Sequence, residues 1–434
     1  MFSMLMPRQC PRPLFVLALL IGLTVLPLTA GAQPIAIVGG TVHPVSGPPI
    51  DDGIVLMSGH TIEAVGPRGE VSIPAQARRI DATGMIITPG FIDASTATGL
   101  IEVSNVSDTR DNDLGGDPIR AAFRVTDGIN PHSTVIPITR LGGVTTVAST
   151  PSGGVIAGQS AVLDLVDGPL DALLVREGAG LYAAFSPDGA DAAGGSRGGV
   201  SLRLREALDD ARFYREQRDA YQRGAVRPVS TSRLDLAAFQ PVLDGQRPLV
   251  VRAARASDIS AALRIAEAYE LDVVLEGGNE AWMRRDALAN AGIPVIVKPL
   301  TNLPTDFDRL GSRFDNAARL HEAGVPVVLS TMDTHNARNL RFEAGNAVRF
   351  GLPRDAALAA ITHRPAQVLG IAASHGTLEA GKSANVVVWT GDPFEFSSAP
   401  QHVFIRGREV DTDSRQLRLL KRYRTLDETP PQYK

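Results

Sequence analysis

Three charged residues stand at the ends of short apolar runs: Arg252 after PLVV, Lys298 after PVIV and Asp333 after PVVLSTM. A carboxylate such as Asp333 can take a proton as a general base, while a guanidinium or an ammonium can polarise a carbonyl. Glu276 in DVVLEGG and His335, two residues beyond Asp333, are further candidates to line the same site and bind a small molecule. The chain has 8 His, enough in number for a metal site, but its 1 Cys can make neither an intramolecular disulfide nor a Cys-rich zinc centre. Ser95 and Ser330 have no His in motif spacing and no G-x-S-x-G elbow accompanies them, which argues against a serine hydrolase.

These residues need elements to bring them together. Residues 89–375 alternate apolar runs with amphipathic stretches: GVTTVAST, PLVVRAA, DVVLEGG, PVIVKP and PVVLST read as strands, and SDISAALRIAEAYE, with Ser257 as N-cap, and DNAARLHEAG read as helices. That rhythm predicts an α/β fold, a (β/α)8 TIM barrel, with Lys298 at the end of a strand and so at the barrel mouth. Residues 33–88 and 376–415 instead carry Val, Ile and Thr runs broken by Gly, Asp and Pro, and predict a small discontinuous β-sandwich built from both chain ends. Residues 187–199, DGADAAGGSRGGV, read as a Gly-rich connection or lid, and residues 416–434 as a C-terminal tail.

Composition sets limits on partners. With 44% hydrophobic residues the chain can build a large core, and a net charge of −4 supplies no basic field for nucleic acid. Arg8 and Arg12 precede an apolar run from Leu14 to Leu28 and the sequence Ala30-Gly31-Ala32, the pattern of an export signal cleaved after Ala32. Cleavage removes Cys10 and both arginines, leaving a thiol-free chain suited to a periplasm-like compartment, with no other span for a membrane.

GMIITPGFID, GGVTTV, IAGQSAV, ITHRPAQVLGI, HNARNLRFEAGNAV and GTLEAGKSANVVVWTGDP together resemble the amidohydrolase superfamily, in particular its imidazolonepropionase-like and related secreted members. The resemblance runs over nearly the whole mature chain and implies a hydrolase of non-peptide carbon–nitrogen bonds, assisted by zinc or a similar divalent metal. It also implies ligand positions. The two His expected after PGFID fall on Ser95 and Ala97, those of the fifth strand on Arg252 and Ala254, and that of the sixth on Gly277. A Lys of some relatives aligns with Asp164, and Asp333 holds the place of the eighth-strand Asp that binds metal or shuttles a proton.

Zinc selects Cys, His and carboxylate, and a guanidinium has donors but no acceptor. No metal is therefore predicted to be held in the family's manner. Three readings follow: a hydrolase with a metal-free site built on Asp333, Arg252 and Lys298; a non-catalytic subunit binding an amide-type ligand, as a homo-oligomer or with an intact relative; and a scaffold in which those three residues form one ion network filling the mouth.

Overall fold

The computed structural model describes residues 33–411 and 413–424; the segment expected to be an export signal, with Cys10 and Ala32, lies outside them. Among the described residues no helix is long and apolar enough to cross a membrane.

The N-terminal arm supplies strands β1 (Ile35–Val42), β2 (Ile50–Ser58), β3 (Thr61–Pro67), β4 (Arg78–Asp81) and β5 (Ile86–Pro89). The middle of the chain then forms β6 (Phe91–Thr96), β7 (Val144–Ser149), β8 (Ile156–Asp164), β9 (Leu174–Phe185), β10 (Leu249–Ala253), β11 (Val273–Gly277), β12 (Val295–Val297) and β13 (Val327–Leu329). The chain returns through β14 (Val386–Trp389), β15 (Pro400–Ile405) and β16 (Arg408–Glu409).

Both chain ends share one eight-stranded sheet, because β5 pairs antiparallel with β14 from Pro89 against Val386 to Ile86 against Trp389. Period-two alternation gives this sheet two apolar faces. Ile37, Val55, Met57, Ile87, Val386 and Val388 form a core of their own, while Val387, Trp389, Val403 and Ile405 join the barrel core. Trp389 is the joint between the two: its ring stacks on Phe91 at 5.0 Å and its Nε1 donates to Thr88 Oγ1 at 2.9 Å. Gly143, at φ +74°, lets β7 begin against that ring, where a Cβ would stand 2.5 Å from the indole.

Strands β6 to β13 form the second eight-stranded sheet in sequence order, the nearly closed barrel expected from the strand–helix rhythm. Seven of them are parallel; β8 runs antiparallel to both β7 and β9. IAGQSAV lies in β8, but neither its reversal nor β9 is marked by the strand–helix rhythm, since the two are joined without the helix-length spacing of a βα unit. The ladder ends at β13 and β6, and side chains close the seam. Ser330 Oγ and Thr331 Oγ1 each donate to the buried Asp93 at 2.5 Å, and Ile92 N donates to Ile361 O at 2.8 Å.

Two local expectations change. Residues 187–199 are not a loop: Ser186 caps a helix over Pro187–Ala192 and Ser196 caps another over Arg197–Glu216, leaving only a turn at Gly194 and Gly195 with φ near +90°. Serine caps outweigh the local glycine content. The helix Ala256–Tyr269 is capped at Arg255 rather than Ser257, because Glu280 Oε2 accepts from Ala256 N at 2.9 Å and Arg255 Nε reaches Asp258 at 2.9 Å.

Candidate functional site

The C-terminal ends of β10, β11 and β12 open on a cleft of about 310 Å³ lined by Arg252, Glu276, Gly277, Asn279, Lys298 and Met332, with Asp308 and Arg309 at its rim. Parallel strands ending together put these side chains at the mouth, as their strand-end positions require.

Arg252 and Glu276 sit side by side on neighbouring strands, Arg252 opposite Glu276 in the ladder. Arg252 Nε donates to Glu276 Oε1 at 3.0 Å, and its other nitrogens reach Pro151 O at 2.7 Å and Thr150 Oγ1 at 3.1 Å. The guanidinium also lies over the Tyr182 ring, 4.9 Å from its centroid. Ser95 Oγ donates to the same Glu276 Oε1 at 3.0 Å. Glu276 Oε2, on a side chain only 6% exposed, is buried with no hydrogen-bond partner. An unpaired buried carboxylate oxygen costs on the order of 1–3 kcal/mol, a cost that a donor from a water or a small molecule in the cleft would remove.

Lys298 is half-buried and makes no ion pair among the described residues; its charge reaches Asp333 and Glu343 only at longer range. Asp333 is differently employed. Its Oδ1 accepts from His335 N at 2.9 Å and Asn336 N at 3.0 Å, and its Oδ2 from Asn336 Nδ2 at 3.2 Å, which folds the loop into the turn Ala337–Asn339. Burial pushes this carboxyl up, but the Asn336 donors, Lys298 and the His335 N–H outweigh it and hold it below the usual range. The expected single network of Arg252, Lys298 and Asp333 therefore does not form.

His335 belongs to the wall behind the mouth. Its Nε2 meets Glu102 O at 2.9 Å and its Nδ1 meets Ser104 Oγ at 3.3 Å, so both ring nitrogens tie down the loop after β6 rather than lining the cleft. Asp164 lies at the opposite end of the barrel: β8 runs backwards, and its last residue pairs with Thr146 near the start of β7.

Two acids escaped the sequence reading. Glu343, on the helix Leu340–Arg349, accepts from Leu300 N at 2.8 Å and so holds the loop that carries Lys298; burial pushes its carboxyl up to about 7. Asp93, at the barrel seam, is pushed up by burial to about 6 despite the Ser330 and Thr331 hydroxyls. Both lie in segments that carry the resemblance, Asp93 in PGFID and Glu343 in HNARNLRFEAGNAV, but nothing local in either segment marks the acid as buried.

Among the described residues no group of three or more His, Cys, Asp or Glu converges as a metal cage does. The five positions where the resemblance implies a His offer a hydroxyl already donating to Glu276 (Ser95), methyl groups (Ala97 and Ala254), a fixed cation (Arg252) and no side chain (Gly277), and the Asp333 carboxylate is taken up by its own loop. That donor set does not fit zinc.

Over 87% of this chain and 99% of the other, the structure superposes on an amidohydrolase from Thermotoga maritima MSB8 with a TM-score of 0.80 and 30% identity. The chain belongs to the amidohydrolase family. The model of that family matches residues 253–410, from just after Arg252 through the last barrel strands to the returning arm. Imidazolonepropionase of Pseudomonas syringae pv. tomato is 27% identical over 367 residues, covering 78% of this amidohydrolase and 88% of that protein. Amidohydrolase tasK of Hapsidospora irregularis is 26% identical over 375 residues, and the chain spans 37% of its length. A molinate hydrolase, at 19% identity and a TM-score of 0.54, shares the fold. Family membership points to carbon–nitrogen bond hydrolysis as the reaction class.

Proposed function

We propose that this chain is an exported amidohydrolase-family protein whose barrel mouth binds a small amide-type ligand without a metal ion. One observation carries the reading: Arg252, at a place where the resemblance implies a metal ligand, is locked to Glu276 at 3.0 Å, leaving Glu276 Oε2 without a donor in a cleft that also holds the unpaired Lys298. A guanidinium at that position repels a divalent cation and stays protonated at any ordinary pH. An amide offers the complement of what remains. Its N–H can donate to Glu276 Oε2, and its carbonyl, or a neighbouring carboxylate, can accept from Lys298. Without metal-bound water near pKa 7, hydrolysis lacks its usual nucleophile. Asp333, with its oxygens engaged by three N–H groups, is a weak substitute base. Binding without turnover, as a homo-oligomer or beside an intact relative, is therefore favoured over metal-free catalysis.

A thermal-shift screen of cyclic amides and N-acyl amino acids tests the reading. A ligand at a hundredfold excess over its Kd should stabilise the protein by about 2.7 kcal/mol, and Lys298→Met should remove that gain while leaving the ligand-free protein folded. A screen with no hit, or a shift that survives Lys298→Met, removes the proposal. Turnover of any amide that is abolished by Asp333→Ala would favour the catalytic alternative instead. Export is supported by Arg8, Arg12 and the apolar run before Ala32, and the mature protein should begin at Gln33.

A further inference from the structure

The helix Arg415–Arg424, RQLRLLKRYR, is unlike the rest of the surface: in ten residues it carries Arg415, Arg418, Lys421, Arg422 and Arg424 and no acid, on a chain whose total charge is −4. Arg418 pairs with Asp413 at 3.1 Å, while Arg415, Lys421 and Arg424 have no ion-pair partner among the described residues. At 100° per residue, Leu417, Leu419, Leu420 and Tyr423 gather on one side, with Gln416 and Arg424 among them, and Arg415, Arg418, Lys421 and Arg422 on the other. The apolar side is only partly covered: Leu417 faces a cavity shared with Ile138, Leu141 and Pro400, and Leu419 is half-buried. Leu420 and Tyr423 are each 60% exposed and Leu417 is 38% exposed, and no residue of the helix is buried.

A basic face beside an exposed Leu and Tyr face is the pattern of a helix that lies in the plane of a charged bilayer surface. Nucleic acid would meet the cations but leave the leucines in water, so the apolar side decides against it. We infer that this helix docks the protein on an anionic lipid surface, with Leu417, Leu420 and Tyr423 entering the headgroup boundary and the arginines and Lys421 meeting lipid phosphates. The helix is far too short to span, and its role is to lie on the membrane while the barrel stays in water.

Co-sedimentation of the purified chain with vesicles tests this. The protein should pellet with vesicles containing phosphatidylglycerol and stay in solution with pure phosphatidylcholine, and about 1 M salt should release it, because the Debye length then shrinks to about 3 Å. Leu420→Glu with Tyr423→Glu, and separately Arg418→Glu with Lys421→Glu, should each lower the bound fraction at least tenfold, with an unchanged far-UV spectrum and melting temperature. Equal sedimentation with both vesicle types, or binding that persists in both double variants, overturns the inference. So does a vesicle-independent dimer that Leu420→Glu with Tyr423→Glu dissociates, which would make a second copy the occupant of the apolar side.

Discussion

Asp164 on the barrel floor and Glu276 at its mouth are both buried carboxylates paired with an arginine, yet their surroundings differ. Asp164, fully buried, accepts from Thr146 Oγ1 at 2.8 Å, Asn385 Nδ2 at 2.9 Å and Arg406 Nε at 2.6 Å, with His375 Nε2 at 3.2 Å. Burial pushes that carboxyl up, and His375 and Arg406 more than offset it, so it stays ionised. Asn385 and Arg406 come from the returning arm, so this network ties the terminal sheet to the barrel. Glu276 has one oxygen filled and the other bare. A complete network fixes structure, whereas an incomplete one that also borders a cleft leaves an acceptor for a donor from outside the chain.

The largest effect should come from the floor. Asp164→Ala leaves Arg406 and His375 facing a buried gap and should destabilise the protein by about 3–5 kcal/mol in denaturant unfolding, while ligand binding at the mouth in the surviving folded protein is unchanged. If the floor variant costs no more stability than a mouth variant, the contrast between the two ends fails.

Glu343 should give the next largest effect. Its carboxyl is raised from 4.5 to about 7, so as pH climbs through that window the unfolded chain has released its proton and the native state still holds one. Stability from this group is therefore greatest at low pH and falls as pH rises to 7, by about 3 kcal/mol at most. Asp93, raised to about 6, acts with the same sign. Glu343→Gln keeps an acceptor for Leu300 N and should flatten the fall between pH 4.5 and 7; an unaltered pH profile in that variant would show that Glu343 is not the titrating group.

Lys298→Met should change stability least, by less than about 1 kcal/mol, because it removes a half-buried cation that pairs with nothing among the described residues. A loss as large as that of Asp164→Ala would mean that the mouth is a structural network after all.

The parts of the fold that were legible in the sequence are those with a strong local signal. VVL and VIV runs between helix patterns gave β10 to β13 within a residue or two, and their end positions gave Arg252, Glu276 and Lys298 at one mouth. What escaped depends on contacts distant in the chain. The reversal of β8 is set by pairing with β7 and β9, and it carries Asp164 to the floor, where strand-end reasoning for parallel strands does not apply. His335 and Asp333 look like mouth residues because they follow β13, but the bonds of the His335 ring to the distant Glu102 and Ser104, and those of Asp333 to its own loop, turn them to loop building. Glu343 reads as an ordinary helix acid, and only the packing of its helix against the loop after β12 buries it.

The central claim, an amidohydrolase mouth that works without a metal ion, is tested most directly by the zinc content of the purified protein after equilibration with zinc. The account predicts well below one zinc per chain and a melting temperature indifferent to chelator. Close to one zinc per chain, with a melting temperature that falls when the metal is stripped, would contradict it.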